Sequence, residues 1–162
     1  MAEVDYFLKI DGIPGESQDD EHKDEIEVVS WYWSETLNGF DPGSAGGTGK
    51  LKMEDFNLVI PVSKASPELF LACASAKHIS QAILTCRRGG GDGDGPDFLK
   101  YTFSDVVISS FQSSGSAASG FSVTNQISLS FTRIEKEYRR QKEDGTIEIV
   151  KAGWDLERNA PI

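Results

Sequence analysis

From Phe121 to Arg133 the residues alternate: Phe121, Val123, Ile127, Leu129 and Phe131 share one parity, and Ser122, Thr124, Gln126, Ser128, Ser130 and Thr132 share the other. A period of two is the side-chain period of a strand, with one face in a core and one face out. This segment commits the chain to a sheet, and the pattern predicts a strand that runs on toward Tyr138. Phe98–Phe111 reads the same way, with Tyr101, Phe103, Val107 and Phe111 at even steps. In Lys50–Ile60, Phe56, Leu58 and Ile60 oppose Leu51, Met53, Asp55, Asn57 and Val59. Val4–Ile10, Ile79–Arg88 and Thr146–Trp154 have strand composition. Glu25–Trp33 alternates too: Ile26, Val28, Ser30 and Tyr32 fall on one face and Glu27, Val29, Trp31 and Trp33 on the other. Neither of its faces is uniformly apolar, so both are expected to meet protein.

Turn chemistry separates these segments. Asp11-Gly12-Ile13-Pro14-Gly15 and Asp144-Gly145 are turn signals, the second a hairpin signal. Glu16–Asp24 reads as a solvated polar loop, Gly89–Pro96 as a Gly-rich connection, and Ser113–Gly120 as a hairpin tip. Asn38–Gly49, with five glycines and a proline, is a loop of about 12 residues, a length often tied to function in compact domains. One helix is expected, at about 66–77 and ending near His78. Ser66 supplies a capping hydroxyl, Pro67 suits the first helical position, and Glu68 meets the positive dipole end. Leu69, Phe70, Cys73, Ala74 and Lys77 follow at helical spacing. Seven or eight strands and one helix predict a mostly β chain: a small two-sheet β-barrel or sandwich with one short α-helix, residues 1–162 forming a single domain.

Charge narrows the partners. A net charge of −10, from 26 acidic and 16 basic residues, repels phosphate backbones and anionic lipid, so neither nucleic acid nor membrane insertion is expected. No segment has the ~20 apolar residues of a membrane helix. The first residues lack a basic region followed by an apolar run, so no cleaved leader is expected. Cys73 and Cys86 are too few for a disulfide framework and read as reduced, buried small residues.

The candidate chemistries fail on spacing. Gly46-Gly47-Thr48-Gly49-Lys50 lacks the first glycine and the hydroxyl residue of a phosphate loop, and a strand follows it where a helix is needed. Asp92-Gly93-Asp94-Gly95-Pro96-Asp97 resembles the start of a calcium loop, but Phe103 stands where a bidentate glutamate belongs. His22 and His78 show no metal-ligand spacing. No Gly-x-Ser-x-Gly elbow is present. The reading is therefore not an enzyme, with no cofactor and no metal. Trp31, Trp33 and Trp154 fit core or interface equally well.

Ordered pieces of the chain resemble the haemolysin-coregulated protein (Hcp) family, the tube subunit of the bacterial type VI secretion system. They are Phe7–Ser17, His22-Lys23, Ile26-Glu27-Val28, Ser30–Trp33, Gly46–Lys50, Ser66-Pro67, Ala72–Ala74, Lys77–Ile79, Ala82–Arg87, Asp105-Val106, Ser128–Phe131, Tyr138, Gln141, Asp144-Gly145, Gly153–Asp155 and Asn159. The resemblance implies a two-sheet barrel with a helix on its flank. It implies homohexameric rings stacked into a tube, expelled with a spike protein by a contractile sheath, and effector cargo carried in the ring lumen. It also implies cytoplasmic protein that leaves the cell through the secretion system without a cleaved signal.

By the same resemblance the stacking loop comprises Asn38, Gly39, Phe40, Asp41, Pro42, Gly43, Ser44, Ala45, Gly46, Gly47, Thr48 and Gly49, with Leu37 and Phe40 as apolar anchors at its base. Tyr32 and Ser34 stand where the family often has a small residue and a glycine. If Tyr32 faces the lumen, as its family position implies, it adds a ring to the cargo surface. The loop Gly91–Asp97 is more acidic than the family pattern. The competing reading is a monomeric ligand- or carbohydrate-binding barrel, or a secreted effector of another class.

Overall fold

The computed structural model describes residues 4–39, 43, 49–89, 95–118 and 122–162. The strands are β1 (Val4–Ile10), β2 (Ile26–Val28), β3 (Ser30–Tyr32), β4 (Glu35–Asn38), β5 (Lys50–Met53) and β6 (Phe56–Pro61). After the helix α1 (Ala65–Ala74) come β7 (Ile79–Arg88), β8 (Asp97–Ser116), β9 (Ser122–Ser130), β10 (Arg133–Gln141), β11 (Ile147–Asp155) and β12 (Ala160–Pro161). One sheet, sheet A, has the order β12-β11-β10-β8-β7-β1-β2; the other, sheet B, is β3-β6-β9-β8. Among the described residues, β4 and β5 pair only with each other. The two-sheet, mostly β architecture with one short helix matches the expectation.

Three expected strands break where the chain changes sheets. Glu25–Trp33 becomes β2 on sheet A and β3 on sheet B, with the corner at Val29, whose N–H donates to Val59 O at 2.8 Å. The inward parity switches there: Ile26 and Val28 are buried, then Trp31 packs inward while Tyr32 is exposed. This explains why neither face read as uniformly apolar. Phe121–Tyr138 is likewise two strands, β9 on sheet B and β10 on sheet A, turning at Phe131–Thr132. Lys50–Ile60 divides at Glu54–Asp55 into the outlying β5 and the core strand β6.

β8 spans both sheets because it changes parity twice. Tyr101 and Phe103 point inward, Asp105 adopts φ 53, and then Val106 and Ile108 are buried. A bulge between Ile108 and Ser110 restores the original parity at the half-buried Phe111. Val107 therefore lies off the inward face expected for it. Extra residues of this kind bend a strand and increase its twist, which lets one strand serve two sheets. Of the inward set expected in β9, Ile127, Leu129 and Phe131 are buried and Val123 is exposed. Phe121 lies outside the described residues.

The helix starts one residue before Ser66 and ends at Ala74, shorter than expected, with Ala76 at φ 51 closing the turn. The capping hydroxyl is that of Ser63, which accepts from Ala65 N–H at 3.2 Å; Ser66 Oγ accepts from Ser63 N–H at 3.1 Å in return. This is the reciprocal logic of a capping box. Ser66 Oγ also donates to buried Asn125 Oδ1 at 2.6 Å, tying the helix start to β9. Ala65, Leu69 and Ala72 face the core; Phe70 and Leu71 are exposed. Of the two free cysteines, Cys86 is buried as expected and Cys73 only half-buried; burial, aided by the charge of Asp97, pushes the Cys86 thiol up to about 12. At that value it stays a thiol and behaves as a core residue. The Asp144-Gly145 hairpin is present: Gly145 has φ 86, and Asp144 Oδ1 accepts from both N–H and hydroxyl of Thr146.

The core lies between the sheets and centres on Phe56, whose ring is 4.9 Å from Phe103, 5.2 Å from Tyr101 and 5.4 Å from Trp31. Trp154 packs at its edge, as does Trp33, whose Nε1 donates to Glu54 O at 2.8 Å.

Candidate assembly surfaces

β4 and β5 form a two-stranded ribbon whose only strand partners among the described residues are each other, and all four residues of β4 are exposed. The registers Leu37↔Leu51 and Asn38↔Lys50 carry the ribbon up to the expected loop. Asn38 is thus a strand residue, followed by Gly39 at φ 75. Gly43 and Gly49 are described; Phe40, Asp41, Pro42, Ser44, Ala45, Gly46, Gly47 and Thr48 lie outside the described residues. Leu37 is exposed at the base.

The ribbon stands off sheet A and leaves a groove of about 1300 Å³ beneath it. Apolar side chains line both walls: Leu37, Leu51 and Met53 from the ribbon, Tyr101, Ile134 and Trp154 from the sheet. The groove runs along the inner side of the β10–β11 pair. Farther along that pair Tyr138 and Val150, directly opposite each other, are exposed.

Among the described residues, the paired rows on the outward face of sheet B carry no charged side chain; Asp55 borders them, its Oδ2 accepting from Ser109 Oγ at 2.7 Å. Directly paired positions share a face, and the registers build the row Tyr32–Asn57–Ser128–Ser110. Ser110 Oγ donates to Ser128 Oγ, and Ser128 Oγ to Asn57 Oδ1, each at 2.7 Å. The next row is Ser30–Val59–Gln126–Gln112, and Pro61–Thr124–Ser114 follows. In a chain that is 26% charged, a face built only of hydroxyl, amide, aromatic and aliphatic groups is a distinct surface. Tyr32 sits at its edge and is 62% exposed. Sequence reading put the hydroxyl and amide residues of β9 outward, but the partners from β6 and β8 that complete the face were not legible.

The outward face of sheet A is the opposite in character. Its paired row Phe7–Thr85–Lys100–Glu137–Lys151 alternates charge, and Lys151 reaches Glu135 at 3.3 Å. One end is covered by residues 14–25, which include the stretch Glu16–Asp24 expected to be a solvated loop. The segment is closed on itself by Gly15 N–H to Asp24 O at 2.7 Å and Asp24 N–H to Ser17 O at 2.9 Å. A side chain at Gly15 would meet Glu25 O at 2.5 Å, so only glycine permits this approach.

Beneath the segment, Arg87 Nη1 donates to Asp19 Oδ2 at 2.6 Å and Nη2 to Asp5 Oδ2 at 3.2 Å. Burial opposes the Asp19 charge, but the Arg87 hydrogen bond, backbone N–H donors of Glu21 and His22, and the Arg87 charge outweigh it and lower its pKa. His22 is buried, with Nδ1 3.0 Å from Glu25 Oε2 and Nε2 3.1 Å from Asp97 Oδ1. Glu21, His22 and Asp97 bring ligand-type atoms within 4.8 Å of one another. Both imidazole nitrogens face carboxylates, so the cluster is a hydrogen-bonded histidine–carboxylate network. His78 lies elsewhere, exposed beside Asp105 at 3.2 Å. Of the acidic loop Gly91–Asp97, only Gly95, Pro96 and Asp97 are described.

Residues 7–138 match the family model described as type VI secretion system effector, Hcp. Protein hcp1 of Pseudomonas aeruginosa is 36% identical over 159 residues, covering 96% of this chain and 97% of that protein. The crystal structure of Hcp1 from Salmonella typhimurium is 38% identical with a TM-score of 0.81, covering 99% of this chain and 100% of that one. A type VI secretion system effector from Yersinia pestis is 31% identical with a TM-score of 0.77, covering 93% and 99%. A match of this extent, in sequence and in fold, makes the chain a member of the Hcp family of type VI secretion proteins.

Proposed function

We propose that this chain is a structural, non-catalytic subunit that closes into homohexameric rings, and that the rings stack into the tube expelled by the secretion system. The observation that carries this reading is the β4–β5 ribbon: it stands off the body, exposes Leu37, and leaves an apolar groove beneath it. A free subunit gains nothing from such a groove in water, whereas a second copy of the chain covers it. A ring is a repeated heterologous contact that closes by rotation. Stacking needs a further contact, which this reading gives to the loop 38–49 at the ribbon's end. Spike protein, contractile sheath and effector cargo are the partners that follow from a tube role, and secretion without a cleaved leader is its route.

Negative-stain microscopy with mass determination tests the reading. Rings, and a mass about six times that of the chain, are expected. A strict monomer at high concentration would favour the ligand-binding barrel and count against the tube. Deleting Gly43–Gly47 should leave single rings intact while abolishing stacks; unchanged tube length would remove the loop from the stacking contact.

The two outward faces support an orientation within the ring. Sheet B offers an uncharged hydroxyl and amide surface, suited to line a passage through which cargo of either charge moves without ionic capture. Tyr32, at the edge of that surface, is then the group that adds an amphipathic ring to it. Replacing Tyr32 with serine should change effector retention in a pull-down on assembled rings while leaving the rings themselves intact. Identical retention would remove Tyr32 from the cargo surface.

A further inference from the structure

The His22 network has no part in the proposed ring or stacking contacts. Each imidazole nitrogen sits within hydrogen-bond distance of a carboxylate, Glu25 on the covering segment and Asp97 at the start of β8. A carboxylate only accepts. A neutral imidazole has one N–H and one lone pair, so one of the two contacts would set a lone pair against an oxygen. Only the doubly protonated ring satisfies both. The ring also stacks on Phe7, centroid to centroid 4.4 Å at 9°, which closes it against β1.

We propose that residues 14–25 are a strap latched over the outward face of sheet A by the His22 imidazolium between Glu25 and Asp97, and that loss of one ring proton releases the His22 end of the strap. The latch joins residues 75 apart in sequence. Its release uncovers Phe7 and Thr85, both buried beneath the strap.

The charged surroundings set the direction. From the strap itself come Glu25, Glu21 and Asp19, whose Oδ1 accepts the His22 backbone N–H at 3.3 Å. β1 contributes Asp5 and Lys9, β7 Arg87, β8 Asp97 and Lys100, and β10 Glu137 and Arg139. Glu137 and Arg139 pair with each other at 2.8 Å, and Arg87 is held by Asp5 and Asp19. The two carboxylates in contact with the ring therefore dominate. Burial disfavours its charge, but the hydrogen bonds from Asp97 and Glu25 and their charges outweigh this and raise the His22 pKa above 6.5.

A group whose closed-state pKa is raised stabilises the closed state fully below its open-state value, and that stabilisation is lost as pH rises through the closed-state value. The latch is thus strongest below about pH 6.5 and weakens on the alkaline side. The Arg87–Asp19 anchor does not titrate in that range, so release is confined to the His22 end.

The chain has only two histidines, so His78→Asn leaves His22 as the sole imidazole signal. Titration of that ring by NMR should give a midpoint above 6.5. Trypsin cleavage after exposed Lys23, normalised to an unfolded peptide of the same sequence, should rise through the same pH interval. The open population should grow about tenfold for each pH unit separating the closed and open midpoints. Asp97→Asn should lower the ring midpoint and shift the cleavage curve with it. A ring midpoint at or below 6.5, or Lys23 cleavage that tracks the unfolded peptide at every pH, overturns the latch. So does an Asp97→Asn protein in which the midpoint falls and the cleavage curve stays. If that variant does not fold, the two curves of the His78→Asn protein decide alone.

Discussion

Phe56→Ala is expected to destabilise the chain by about 3–5 kcal/mol, read by urea denaturation at matched protein concentration. Phe56 is fully buried at the start of β6. Its ring meets Tyr101 and Phe103 of β8 and Trp31 of β3, with Trp33 farther off at 6.3 Å. It therefore joins sheet B to the sheet A half of β8 at the corner where the chain crosses between sheets. Truncation removes the ring's transfer energy and leaves a cavity between aromatic groups whose backbones are held in ladders, so the site cannot collapse to fill it. Aromatic pairs add about 0.5–1.5 kcal/mol each beyond area, which puts the expected loss in the upper part of the range. Matched concentration matters because self-association adds its own stabilisation. A loss below about 2 kcal/mol would mean that the aromatic cluster is not what clamps the sheets.

Phe56 shows what was legible in the sequence. Its parity with Leu58 and Ile60 identified the buried face of β6, as Ile127, Leu129 and Phe131 did for β9, because a half-buried strand enforces period two. The breaks in that period were not legible. Val29 and Thr132 are corners, Ser109 lies in a bulge, and Asp105 takes a left-handed φ that aspartate tolerates. None of these residue types demands the irregularity; the second sheet does.

The candidate surfaces divide in the same way. The long Gly-rich connection was legible because its signal is local, whereas the outward position of Tyr32 came only from the family resemblance, since neither face of Glu25–Trp33 is uniformly apolar. The outward face of sheet B depends on pairing β6 with β9, where Asn57 and Ser128 stand 71 residues apart in sequence, and local reading does not supply such pairings. The strap misled for a related reason. Asp19, Asp20, Glu21, His22 and Asp24 form a charged run of the kind that usually lies in water. What turns it inward is Arg87, which lies on β7, far from the run in sequence.

Arg87 is accordingly the second position of large expected effect: Arg87→Met should cost about 2–4 kcal/mol at neutral pH. Arg87 is 5% exposed, and its guanidinium forks to Asp19 and Asp5 and lies 4.9 Å from the centre of the Phe7 ring. Methionine keeps much of the packing against Phe7 and strips the charge, so two carboxylates face each other without a cation. Both retain some contact with water, at 23% and 36% side-chain exposure, which keeps the loss below the upper end for a fully buried pair. Arg87→Lys should recover little, since one ammonium cannot reproduce a fork to two carboxylates. Adding Asp19→Asn to Arg87→Met should return part of the loss by removing the stranded charge. The pH dependence provides a separate check. Asp19 has a lowered folded-state pKa, so its stabilisation is present above its ordinary value near 3.8 and disappears as pH falls through the folded value. The stability gap between wild type and Arg87→Met should therefore narrow in acid. A gap that stays constant from neutral pH to well below that value would assign the loss to packing against Phe7 instead of to the ion pair.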